Sequence, residues 1–180
     1  MIREHEIPTS YVDRPDFDPN EKELNEATIS MLNGLIETCE DGFEGFKQAA
    51  EGVKSEDLKR TFTKYSQERA GFVADLQNLV RTLGGDPEDS GSTAGALHRG
   101  WINIKSAVTG QDDAAILNEC ERGEDSAKNE YQEAQKQDMP EYVRSSVEAQ
   151  YAAVLAAHDN IKMLRNAAKN ESASAARSVH

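Results

Sequence analysis

Three features of the sequence predict an all-α fold built from four long helices. Apolar residues recur at alternating steps of three and four in four separate segments. Proline is absent between Pro87 and Pro140, which leaves room for uninterrupted helices. Aromatic residues make up 6% of the chain and β-branched runs are missing, so nothing favours a sheet.

Residues 1–26 are polar and proline-bearing, and they read as an extended N-terminal arm. The stretch DRPDFDPNEKE within them lacks the glycine and the closing glutamate of a calcium loop. The first helix is predicted over 28–53, with a seam of Ile29, Leu32, Ile36, Cys39, Phe43, Phe46, Ala50 and Val53. Gly52 ends it, and Ser55 ahead of Glu56 and Asp57 starts the next.

The second helix, 55–83, carries Leu58, Phe62, Tyr65, Arg69, Phe72, Leu76, Leu79 and Leu83, so Arg69 stands in an apolar slot. GGDP at 84–87 stops it. The third, 112–137, starts on an Asp112 or Asp113 cap. Its seam is Leu117, Cys120, Glu124, Ala127, Tyr131 and Ala134, with Glu124 in a slot meant for an apolar residue. The fourth, 141–169, presents Val143, Val147, Gln150, Val154, Ala157, Ile161, Leu164 and Ala168. Residues 170–180 are small and polar and read as a disordered tail, which leaves 27–169 as the bundle domain.

Short turns join helices one to two and three to four, so each pair is antiparallel. Between helices two and three lie residues 84–111. They hold a short amphipathic helix with Leu97, Trp101, Ile104 and Val108 on one face, and Trp101 as its buried anchor. A connection of that length can climb back along a helix of about 39 Å. Two hairpins joined by one long crossover make a ferritin-like four-helix bundle. An up-down-up-down bundle with an ornamented loop is the alternative.

The formal net charge is −13 and Lys and Arg form no patch, so nucleic acid and anionic membrane surfaces are excluded as partners. No apolar run is long enough to span a membrane, and the N-terminus carries no signal-peptide core. Cys39 and Cys120 belong to no CxxC pair, which excludes zinc ribbons and redox dithiols. Both are expected as buried, reduced thiols in a cytoplasmic protein.

The polar residues that interrupt the seams share one level. Counting from the turn at Lys54, Glu40 and Glu68 stand at equal height on adjacent helices. Counting from Met139, Glu121 and His158 do the same, with Glu124 one turn away. Carboxylates from three helices and an imidazole from the fourth thus converge at the waist. Oxygen ligands with an added histidine suit a pair of iron or manganese ions. The usual di-metal pattern pairs Glu-x-x-His on two helices. Here Gly71 stands where one histidine belongs, and Leu155 where one glutamate belongs.

The competing reading is a metal-free ion network: Arg69 in its apolar slot takes Glu40 or Glu124 as partner. Glu124 then pairs with Lys128, Glu119 pairs with Arg122, and Gly123 serves close helix packing.

The stretches DGFEGFKQAAE (41–51), SQERAGF (66–72), GGDPEDSGSTAGALHRGW (84–101), LNECERGEDSAKNEY (117–131) and AAHDNI (156–161) resemble a bacterial family of four-helix-bundle proteins. Its members carry a domain of unknown function placed near the ferritin-like superfamily. The resemblance implies a ferritin-like bundle, a cytoplasmic setting and a role in stress or metal handling. It implies no settled activity. The functional expectation is therefore a carboxylate and histidine centre of Glu40, Glu68, Glu121, Glu124 and His158 that holds two metal ions for metal handling or oxidative-stress protection. The alternative is a metal-free bundle acting through self-association as a homodimer, or through a protein partner.

Overall fold

The computed structural model describes residues 19–88, 101, 103–110 and 112–177, and among them the regular elements are all helices. They are α1 (Pro19–Gly52), α2 (Glu56–Thr82), α3 (Ile104–Thr109), α4 (Asp113–Gln135) and α5 (Glu141–Arg177). No helix among these residues is long and apolar enough to cross a membrane.

The helix starts follow from local chemistry. The Ser55 hydroxyl accepts from Leu58 N and caps α2, and the Asp112 carboxylate accepts from Ala114 N and caps α4. Gly84, at φ 83, closes the end of α2 in a left-handed conformation that glycine adopts without strain.

Two boundaries differ from expectation. α1 begins at Pro19, so residues 19–26 are helical rather than part of an extended arm. Proline suits a first helical position, and Lys22 and Glu26 form an i,i+4 ion pair on the solvated turns that follow. α5 runs on to Arg177, so 170–177 is helix rather than disordered tail. Alanine in that segment sustains a helix by propensity after the apolar seam has ended. The short helix in the connection covers only Ile104–Thr109, and Leu97 lies outside the described residues.

α1 packs most extensively on α2, and α4 on α5, with further contact between α1 and α4 and between α2 and α5. Two apolar clusters divide the core. One joins Leu32, Leu35, Ile36 and Cys39 to Leu76, Val80, Ala127, Tyr131 and Val147. The other joins Phe46, Ala50 and Val53 to Phe62, Ile116, Cys120, Ala157 and Ile161. Rising numbers on α1 meet falling numbers on α4, so these helices are antiparallel.

The ends of the connection agree. Leaving α2, the chain is held to α1 by Asn33, whose side chain donates to Asp86 O and accepts from Glu88 N. At the far end, the Asp113 carboxylate accepts from Lys54 N and Ser55 N in the α1–α2 turn, at 2.9 and 3.1 Å. α2 and α4 therefore point the same way: the connection leaves beside Asn33, midway along α1, and arrives at the α1–α2 turn.

Trp101 fixes that connection. It is buried, edge-on to Phe46 at 5.0 Å between ring centroids. Its indole fills a slot between Gly45 of α1 and Gly123 of α4, where a Cβ on either glycine would collide with the ring. The expected anchoring by Trp101 and the close packing at Gly123 are thus one feature.

A buried ion pair at the waist and a polar group on the flank

Between the two apolar clusters lies a polar layer. Arg69 of α2 reaches into it along Gly42, whose missing side chain makes room for the arginine stem: a Cβ there would stand 3.2 Å from Arg69 Cγ. Arg69 and Glu124 are both almost wholly buried, and Arg69 Nη2 donates to Glu124 Oε2 at 2.7 Å. Arg69 Nη1 donates to Glu68 Oε1 at 2.9 Å. One guanidinium thus serves a carboxylate on α2 and another on α4, with the Phe72 ring 5.3 Å from its central carbon.

Burial pushes the Glu124 carboxyl above its ordinary range, and Arg69 pulls it only part of the way back. Burial opposes the charge on Arg69, but the acids around it, Glu124 foremost, hold it protonated. Beside this pair a hydrogen-bond chain runs from Cys39 Sγ, 3.1 Å from Tyr131 Oη, to Gln150 Oε1, which accepts from Tyr131 at 2.8 Å. Burial drives the Cys39 thiol up to about 11 and raises the Tyr131 phenol well above its ordinary value, so both stay neutral. Both cysteines are free and buried.

The second group lies on the flank where α4 meets α5. Ligand atoms of Glu121, Asp125 and His158 all stand within 4.8 Å of one another. His158 is 6% exposed by side chain, Glu121 10% and Asp125 51%, so the group is floored by protein and open on one side. His158 Nε2 faces Asp125 Oδ1 at 2.9 Å, and Nδ1 faces Asp159 Oδ1 at 3.0 Å. The Lys128 ammonium stands 3.2 Å from Asp125 Oδ1 and 3.4 Å from His158 Nε2. Arg165 forms an ion pair with Glu121.

The five expected ligands thus divide. Glu121 and His158 come together as the height count requires. Glu124 and Glu68 instead share Arg69, and Glu40 is half-buried on α1. The pairing of Glu124 with Lys128 does not form, because Glu124 turns inward and Lys128 takes Asp125; Glu119 does pair with Arg122. Asp125 escapes sequence reasoning because it falls off the apolar seam. Its signal was its place one turn beyond Glu121, on the side facing α5.

Residues 27–137 match the family described as a domain of unknown function (DUF2383), and the chain belongs to that family. No curated protein matches it.

Proposed function

We propose that this member of the family is a metal-handling helical bundle that holds one divalent ion on the α4–α5 flank. The observation that carries this reading is the convergence of Glu121, Asp125 and His158 within 4.8 Å. Two carboxylates and an imidazole form a donor set suited to manganese, iron or zinc. Asp159 supports it: with Nδ1–H donating to that carboxylate, the Nε2 lone pair of His158 is left for an ion. The position already accommodates positive charge, since the Lys128 ammonium stands against Asp125 and Nε2. Two helical hairpins joined by a long connection suit a ferritin-like arrangement. A di-iron or di-manganese pair at the waist is the weaker form of the idea, because Arg69 already neutralises Glu124 and Glu68 there. An ion with three protein ligands and open positions remains exchangeable. Sequestering such an ion from solution is one route to oxidative-stress protection.

Purification without chelators, followed by elemental analysis and calorimetric titration with Mn²⁺, Fe²⁺ and Zn²⁺, tests this. About one ion per chain is expected, and Asp125→Asn or His158→Ala should abolish it while helical content is kept. Background metal and no heat of binding for any of the three ions would overturn the reading. A metal-free bundle acting by association is the second reading. It is favoured by the pairs Arg165–Glu121 and Lys128–Asp125, which already neutralise the acids.

A further inference from the structure

α5 turns a long face away from the other helices. Ala149, Ala152, Leu155, Ala156 and Met163 are all exposed on it, Leu155 by 36% and Met163 by 60%. Apolar exposure alone names no occupant, but the charges on the same face do. Seven residues before Leu155 stands Glu148, and seven after it stands Lys162. Fourteen before stands Glu141, and fourteen after stands Lys169. All four are exposed, and no ion pair within the chain is found for them among the described residues. Spacing by sevens keeps these positions on one side of the helix. The helix dipole accounts for Glu141 at the first turn, but its reach does not extend to Glu148 and Lys162.

A row that is acidic before its midpoint and basic after it is complementary to itself when reversed. We propose that α5 pairs antiparallel with α5 of a second copy about a twofold axis at Leu155. Glu148 of each copy then meets Lys162 of the other, and Glu141 meets Lys169. A parallel pairing would set Glu148 against Glu148 and Lys162 against Lys162, so the charge order selects one orientation. Twofold symmetry makes each contact occur twice. The alanines beside Leu155 let the two helices approach closely, and the methionine adds a deformable apolar surface.

The test uses the full chain and reads mass and cross-linking, so it stands apart from the metal reading. Sedimentation velocity at low ionic strength should show a dimer. Glu148→Lys and Lys162→Glu should each weaken it by roughly tenfold or more, because each turns two attractions into two repulsions. The double exchange should restore it to within about twofold of the parent. Leu155→Cys should form a disulfide between copies on mild oxidation, since a residue on the axis meets itself; the native Cys39 and Cys120 are buried and do not compete. All three substituted positions are exposed, and circular dichroism checks that the helices persist. A monomer at the highest soluble concentration would overturn the proposal. So would a dimer indifferent to the single exchanges, a double exchange that fails to restore it, or a Leu155→Cys chain that does not cross-link.

Discussion

Glu124 and Asp125 are neighbours in sequence and meet opposite fates. Glu124 faces inward, where an arginine from another helix neutralises it out of contact with bulk solvent. Asp125 stands one step around the helix, half-exposed, against an imidazole and a lysine that solvent can replace. The waist is a committed pair: taking both charges out of water cost several kcal/mol, and only the close guanidinium contact and its second acid offset it. On the flank the Lys128–Asp125 pair is partly solvated and weak, so under the proposed reading an external cation would displace Lys128 at modest cost. These two neighbours therefore sort by burial: Glu124 is bound by the chain's own arginine away from solvent, and Asp125 keeps one side open to it.

The sharpest way to break this contrast is to remove the waist cation. Arg69→Met should destabilise the fold by about 3–5 kcal/mol in urea titration, because Glu124 is left buried without a partner. The deficit should depend on pH. Without Arg69 the Glu124 carboxyl rises further above its unfolded value, and a group raised in the folded state stabilises most below its unfolded pKa and loses that contribution as pH climbs through the folded one. The variant should therefore be weakest near about pH 8 and recover toward about pH 5. Replacing Arg69 and Glu124 together with Met and Leu should cost much less than Arg69→Met alone.

Next in size is Gly123→Ala, between Glu121 and Glu124, where a Cβ meets the Trp101 indole. A loss of about 1–3 kcal/mol by thermal melting is expected, with the near-ultraviolet signal of the tryptophan altered. Asp125→Asn should move stability by less than about 1 kcal/mol while removing divalent-ion binding in calorimetry. A fall in stability comparable to that of Arg69→Met would erase the distinction between the two regions. The smallest effect belongs to Lys128→Ala. Stability should hardly change, and the affinity for Mn²⁺ should rise by about two- to tenfold as the competing ammonium goes.

Much of the fold was legible. The seams of α2, α4 and α5, the cap at Ser55 and the burial of Trp101 follow from spacing and residue type, and the choice between Asp112 and Asp113 as the α4 cap was settled by the structure. The helix ends at Pro19 and Arg177 were not, because outside the core no apolar period marks a helix that propensity and surface pairs sustain. Phe43 is a similar miss: it continues the α1 seam by count, yet it is 37% exposed. Of the site, sequence reasoning paired Glu121 with His158 but missed Asp125, Asp159 and the pairing of Arg165 with Glu121.

What the sequence by itself determined was which residues face the same side of each helix and which stand at the same height across a hairpin. Both are consequences of a fixed rise and turn per residue. Tertiary structure decided which of several reachable cations Glu121, Glu124 and Asp125 received. Arg69, Lys128 and Arg165 are long side chains whose reach spans several candidates. Helix rotation and the room left at Gly42 then settle whether an arginine closes on Glu124 or leaves it to a metal.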